Sequence, residues 1–193
     1  MRIIAGSAKG RVLAQPAGVT RPTSDRTREG IFSSLESEIG TCEGITFWDL
    51  FAGTGAVGLE ALSRGALEVV AIEKDVKAAN VCRQNYELIK NSVTGKFYLF
   101  RMGVEAFLDS EAATQKKCDV VYVDPPYEVS NQVIERILSA LTAHTLLAPG
   151  AVVIVERSTR TVAFTWPAGF SPLKDRAYGE GTAYFAVFSE VSP

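Results

Sequence analysis

The sequence predicts an α/β fold: a mostly parallel seven-stranded sheet with helices on both faces, a C-terminal antiparallel hairpin and a small N-terminal β-ribbon. Three observations predict it. Short apolar runs alternate with helical patterns from Ile45 onward, which is the signature of parallel strands joined by crossover helices. The first run leads into a glycine-rich loop, Asp49 to Glu60. The fourth, Cys118 to Val123, ends on Asp124-Pro125-Pro126-Tyr127, placing a carboxylate at the carboxyl end of a strand, where open α/β sheets keep their chemistry.

Residues 2 to 15 alternate in places and contain Gly6 and Gly10, so a short ribbon is expected: Arg2 to Ala5, a turn through Ser7 to Gly10, then Arg11 to Gln15. It reads as a peripheral arm. Pro16 to Pro22 is a linker, after which Thr23-Ser24-Asp25 offers N-cap chemistry for a helix with Ile31, Phe32 and Leu35 at helical spacing. Strands are expected near 45 to 50, 68 to 73, 96 to 101, 119 to 123 and 151 to 156. Helices are expected near 56 to 64, 75 to 91, 103 to 112 and 129 to 143. Pro149-Gly150 reads as a break before the fifth strand, and Ser171 to Tyr178 and Thr182 to Ser189 as two strands joined at Gly179-Glu180-Gly181.

With 193 residues, 47% hydrophobic and 22% charged, the chain is long enough and apolar enough for one soluble domain with a substantial core. A net charge of −2 predicts no polyanion partner by itself. The first thirty residues, however, carry six basic side chains against Asp25 and Glu29, so a local basic face on an acidic protein is expected. Cys42, Cys82 and Cys118 are far apart and lack C-x-x-C spacing, which suggests neither a disulfide framework nor a zinc site. His144 is the only histidine, which speaks against His-dependent nucleophilic catalysis and against a multi-His metal site; no metal is expected. No stretch approaches the length of a signal peptide's apolar region or a membrane span. A cytoplasmic protein is the expectation.

The loop after the first strand matches G-x-G-x-x-G at Gly53, Gly55 and Gly58. Glycines allow a tight turn and close backbone approach, and the following helix N-terminus favours a negative group. At the end of the second strand Glu73 can accept hydrogen bonds from ribose hydroxyls, with Lys74 and Asp75 next to it. Two cofactors compete for such a site. A nicotinamide dinucleotide has the literal fingerprint and an acid fifteen residues past Gly58, slightly closer than usual. S-adenosylmethionine has an ammonium, a carboxylate and a ribose diol but no pyrophosphate, and Asp49 at the first strand end is placed to meet an α-amino group. A helix-capping carboxylate is the plainer role for Asp49.

Asp124-Pro125-Pro126-Tyr127 has two prolines, which supply carbonyl acceptors but no N–H donors. The result is a stiff, acceptor-rich edge beside an aromatic ring, suited to an amino group on a flat ring. Tyr127 can stack on such a ring or pack against the helix that starts near Val129.

Taken together, the loop Asp49 to Glu60, Glu73 and Asp124 to Tyr127 resemble a Rossmann-like class I S-adenosylmethionine-dependent methyltransferase acting on a planar amino nitrogen. Arg2-Ile3-Ile4-Ala5-Gly6-Ser7 with Lys9-Gly10-Arg11, then Arg21-Pro22-Thr23 and Asp25 to Phe32, narrow the resemblance to the bacterial RsmD family, which methylates N2 of a guanine in small-subunit (16S) ribosomal RNA. The resemblance spans essentially the whole chain. It implies catalysis by Asp124, Pro125, Pro126 and Tyr127, and a guanine-966 type of target. It implies S-adenosylmethionine, leaving as S-adenosylhomocysteine, held by Asp49, Phe51, Ala52, Gly53, Thr54, Gly55, Gly58, Glu73, Lys74, Met102, Gly103 and Asp124. RNA contacts would be Arg2, Lys9, Arg11, Arg21, Thr23, Arg26, Arg28 and Tyr127.

The organisation implied is an RNA-binding ribbon and linker over 1 to 22 and a methyltransferase domain over 23 to 193. The implied partner is 16S rRNA in an assembly intermediate containing ribosomal proteins, met by a monomer. One departure stands out: many relatives carry an acid after the third strand to meet the adenine amine, whereas Gly103 has no side-chain acceptor, so backbone and apolar contacts such as Met102 would hold adenine. Lys174 and Tyr178 in the terminal hairpin are further candidates for the substrate border. The rival readings are a DNA adenine-N6 methyltransferase, for which the chain lacks room for a target-recognition domain, and a non-catalytic RNA-binding module that senses a nucleotide or S-adenosylmethionine.

Overall fold

A computed structural model describes residues 1–15, 24–115, 117–161 and 164–189. The expected linker, Arg21 and Thr23 lie outside the described residues. Strands β1 (Thr46–Asp49), β2 (Glu68–Ile72), β3 (Lys96–Phe100), β4 (Cys118–Val123), β5 (Leu147–Ser158), β6 (Phe170–Tyr178) and β7 (Gly181–Phe188) form one sheet in the order β3-β2-β1-β4-β5-β7-β6. The first five are parallel, and β7 runs antiparallel to both β5 and β6. The crossovers carry α2 (Ala56–Ser63), α3 (Val76–Ile89), the short α4 (Val104–Leu108) and α5 (Glu111–Thr114), and α6 (Asn131–Ala143), while α1 (Asp25–Ile39) precedes the sheet.

Both sheet faces are covered, so the central strands are apolar throughout rather than alternating. Trp48, Val70, Val121 and Val153 face α4 and α6 through Phe107, Ile134 and Leu138. On the other face Phe47, Val69, Val120, Tyr122 and Ile154 meet α1 and α2 through Phe32, Leu35, Leu59 and Leu62. The Ser24 side chain caps α1 by accepting the Thr27 amide hydrogen at 3.0 Å, as the N-cap pattern predicts.

Two expectations are corrected. Pro149-Gly150 does not stop the chain: β5 begins at Leu147, paired with Cys118, and the two residues are absorbed as an irregularity before Val152 pairs with Val120. Nor is the N-terminal ribbon peripheral. It closes through an Arg2–Val12 bridge, and Ile3, Ala8 and Leu13 are buried in the same core as α1 and α2.

The docking is polar as well as apolar. Glu60, fully buried on α2, accepts the amide hydrogens of Ile4 (2.8 Å) and Ala5 (3.0 Å) and pairs with Arg64 Nε at 2.9 Å. Arg64 in turn reaches Glu36 of α1. Asn85 of α3 accepts from Ala14 N at 2.7 Å and donates to the Ala14 and Thr54 carbonyls. One side chain therefore joins the ribbon to the glycine loop.

Replacing Glu60 by Gln turns one of two acceptor oxygens into a donor facing backbone N–H groups and leaves Arg64 without its buried partner. A loss of about 3 kcal/mol of unfolding free energy in urea is expected, with the ribbon amides losing hydrogen-exchange protection before the β4 and β5 amides do.

Candidate active site

The carboxyl ends of β2, β1, β4 and β5 present Glu73, Asp49, Asp124 and Glu156 in that order along one edge of the sheet. All four line a single cleft of about 1410 Å³. Its remaining walls come from the loop Phe51 to Thr54, from Met102 and Gly103 after β3, from Pro125 to Tyr127 after β4, from the first turns of α1, and from the hairpin tip at Tyr178 to Gly181.

The glycine loop is held by these acids. Asp49, 1% exposed, accepts the Gly58 amide hydrogen at 3.0 Å. Glu73 accepts from Gly53 N at 2.8 Å and from Asp75 N at 2.7 Å. Gly55 N bonds the Ala52 carbonyl at 2.7 Å, and Ala52 N bonds the Ile72 carbonyl. The amides of Gly53, Gly55 and Gly58, which the fingerprint would aim at a pyrophosphate, are thus taken up within the protein. Each Glu73 oxygen keeps a second lone-pair site for a ligand hydroxyl.

Two glycines shape the loop from behind. Gly55 has φ 79, and a Cβ there would lie 2.5 Å from the Cys82 sulfur. A Cβ at Gly58 would come within 3.0 Å of Val69, so α2 can approach β1 and β2 closely only without one. Gly55 and Gly58 are not among the residues that line the cleft; their lack of a side chain is used in packing behind the loop. Gly103 does line it, and a Cβ there would meet nothing within 4 Å. The side-chain acceptor that Gly103 lacks is thus matched by open space in the cleft wall.

Electrostatics follow from crowding acids at a partly dry edge. Burial, then the neighbouring charges of Asp124 and Glu73, push the Asp49 carboxyl up to about 7 against the Gly58 hydrogen bond. Burial and Asp124 push Glu156 up to about 8. Tyr122, between them and buried, is raised further by burial and by Glu156, Asp124 and Asp49. Arg157, buried and donating to the Val129 carbonyl at 2.7 Å, is lowered by burial, with Asp124 acting in the opposite direction.

Asp124, Pro125, Pro126 and Tyr127 lie together in the cleft, next to Asp49, Glu73 and Met102. The Tyr127 ring is 69% exposed, so it is not packed on α6 and stands free at the rim. Among the expected RNA contacts Arg26 lines the cleft, while Arg2, Lys9 and Arg11 are exposed on the ribbon outside it. Arg28 is corrected: it is fully buried, donating to the Arg2 carbonyl at 2.5 Å and to Asp25 Oδ1 at 2.9 Å, and a phosphate cannot reach it. Lys174 is also spent internally, on the Ser34 carbonyl, the Ser37 hydroxyl and Glu38. Tyr178 borders the cleft and hydrogen-bonds Ser34 across to α1.

Glu156 and Lys77 also line the cleft, and sequence reasoning missed both. The signal for Glu156 was present: an acid closing the apolar run Ala151 to Val155, as Asp124 closes Val120 to Val123. The link from Asn85 to Thr54 left no local signal.

The strand order, the antiparallel β7 and the acids on successive strand ends define a Rossmann-like class I S-adenosylmethionine-dependent methyltransferase fold. The putative methyltransferase YhhF of Escherichia coli superposes with a TM-score of 0.83 at 30% identity over 98% of both chains. In sequence, the ribosomal RNA small subunit methyltransferase D of Haemophilus influenzae is 34% identical over 181 residues, covering 93% of this chain and 89% of its own. The putative rRNA methyltransferase YlbH of Bacillus subtilis is 32% identical over 157 residues, 81% of this chain and 82% of its own. The family described as conserved hypothetical protein 95 matches residues 1–187. The chain belongs to this family, the RsmD family, as its N-terminal motifs predict.

The folded protein keeps a proton on Asp49 up to about pH 7, whereas an unfolded chain releases it near an ordinary aspartate value of about 3.9. Its contribution to stability is complete below the unfolded value and is lost as pH rises through the folded one, at up to about 1.4 kcal/mol per pH unit. Asp49→Asn keeps the acceptor for Gly58 and carries no charge. In thermal unfolding of the cofactor-free protein the variant's advantage over the parent should be smallest below about pH 4, grow between about pH 4 and 7, and level off above that.

Proposed function

We propose that the protein transfers a methyl group from S-adenosylmethionine to the exocyclic N2 amine of a guanine in 16S ribosomal RNA, at a guanine-966 type of site. The observation that carries this is the placement of Asp124-Pro125-Pro126-Tyr127 in the same cleft as Asp49, Glu73 and the glycine loop. The names of the relatives support ribosomal RNA of the small subunit as the substrate class.

The residues suit this cofactor better than a dinucleotide. The loop amides are engaged by carboxylates and carbonyls, leaving little to cradle a pyrophosphate, and the surrounding acids repel one. They attract an ammonium and accept from hydroxyls. Asp49 would meet the amino group, Glu73 the ribose, and Met102 with the open shelf at Gly103 the adenine. When bound, S-adenosylmethionine supplies a sulfonium methyl electrophilic enough for a weak amine.

The work of the chain is then alignment. Asp124 and the Pro125 carbonyl each accept one amine hydrogen, fixing the nitrogen and opposing delocalisation of its lone pair into the ring. As positive charge grows on nitrogen, the Asp124 carboxylate stabilises it and takes a proton late, when the amine has become acidic. Tyr127 stacks on the extruded base, worth about 1 to 3 kcal/mol. Arg2, Lys9, Arg11 and Arg26 grip phosphates around it, with the RNA inside an assembly intermediate containing ribosomal proteins and the enzyme acting as a monomer in the cytoplasm.

Asp124→Ala should lower methyl transfer to small-subunit RNA from cells lacking the modification by at least about a hundredfold, while calorimetry still detects S-adenosylmethionine binding. Label in DNA and not RNA would favour an adenine-N6 enzyme, and binding with no transfer by the parent protein would favour a non-catalytic module.

A further inference from the structure

Asp124 supplies acceptors for an amine, but guanine N2 and adenine N6 are both amines on flat rings, and the D-P-P-Y edge does not tell them apart. What differs is the ring nitrogen beside the amine: N1 carries a hydrogen in guanine and a bare lone pair in adenine. A protein that selects guanine needs an acceptor next to Asp124, on the side away from the cofactor.

Glu156 occupies that place. Val123 of β4 pairs with Val155 of β5 in parallel register, so Asp124, just past the end of β4, and Glu156, still within β5, fall side by side on the same face, about 4.8 Å apart at the backbone. The glycine loop and Glu73 lie on the other side of Asp124, toward β1 and β2. Beyond Glu156 the cleft is bordered by α1 and by the hairpin tip, Tyr178 to Gly181, where β6 ends and β7 begins. The carboxyl is half-buried at the cleft floor with the buried Tyr122 ring beside it. Resting on the reading above, we propose that Glu156 is a specificity-determining residue that accepts the N1–H of the target guanine while Asp124 and the Pro125 carbonyl hold N2. An N1–H presented to Glu156 favours its ionised form, opposing the burial and the Asp124 charge that keep a proton on it in the free protein. Adenine brings a bare lone pair that the ionised carboxylate repels and only a protonated Glu156 could meet, so the preference for guanine is greatest where pH favours the ionised form.

2-Aminopurine tests this because it keeps the N2 amine and has no hydrogen on N1. Single-turnover methylation is compared on small-subunit RNA carrying guanine or 2-aminopurine at the methylated position, for the parent protein and for E156Q. The glutamine amide can donate to a bare N1. The parent should favour guanine, and in E156Q the guanine to 2-aminopurine rate ratio should fall at least about tenfold, with S-adenosylmethionine affinity and melting temperature held. Comparing ratios cancels the different reactivity of the two amines and any general loss of activity. An unchanged ratio overturns the assignment, as does a parent enzyme that methylates both bases equally well, a result that stands even if E156Q fails to fold. A parent enzyme that methylates no guanine-containing RNA sinks the functional reading itself, and the two failures are thereby distinct.

Discussion

The hydrogen bond from Gly58 N to the buried Asp49 carboxylate is the constraint on which the site depends. It ties the last residue of β1 to the first turn of α2, and it forms only because no side chain at residue 58 holds the helix off Val69. The loop between strand and helix is left with little freedom, and Glu73 fixes its middle through Gly53. A loop satisfied by carboxylates differs chemically from one that leaves its amides for phosphate, even where the glycine spacing is identical. Burial first, and then the charge of Asp124 on both and of Glu73 on Asp49, raises the proton affinity of Asp49 and Glu156. A cationic ligand relieves that repulsion, so cofactor binding and site electrostatics reinforce each other.

The same rigidity extends to the amino terminus. Glu60 and Ser63 receive backbone amides of the ribbon, and Asn85 bridges the Ala14 and Thr54 carbonyls. The buried Arg28 contributes by clamping the Arg2 carbonyl to Asp25 at the start of α1. Its charge is used to set where Arg2 and Arg26 stand, which is a different service to a polyanion from touching one. Side chains on a segment held in this way lose less freedom on binding than those on a loose arm.

Much of this was legible in the sequence because it is local. A strand followed by glycines, or by an acid and two prolines, encodes its own loop, and the observed strands fall within a few residues of the expected ones because apolar runs bounded by turns are hard to mistake. What failed was non-local. The burial of Arg28 depends on residues 2 and 25, and the docking of the ribbon depends on Glu60, Ser63 and Asn85, all more than fifty residues from their partners. Pro149-Gly150 is a stop signal by local rules and is tolerated in β5 because the parallel register with β4 shifts there. Gly55 and Gly58 fit the motif, yet act on Cys82 and Val69 behind the loop, and a pattern match cannot tell the front of a loop from its back.

Reaction type and substrate choice are therefore written in different parts of the fold. Methyl transfer to an amine needs only the ends of β1, β2 and β4, a segment-by-segment property that many proteins of this architecture can share. On the proposed reading, choosing the base falls to what lies past β4, where β5 brings Glu156, the antiparallel β7 follows, and α1 and the hairpin tip meet through Tyr178 and Ser34. The terminal hairpin does more than complete the sheet. Its tip meets α1 through Tyr178 and Ser34, beside the cleft that Glu156 lines, so a base held as proposed would meet a carboxyl half withdrawn from water, where hydrogen-bond mismatches are expensive. Discrimination that rests on the presence of a hydrogen at N1 requires that exclusion of water, and an acid on an open strand end would supply the acceptor without the penalty for the wrong base.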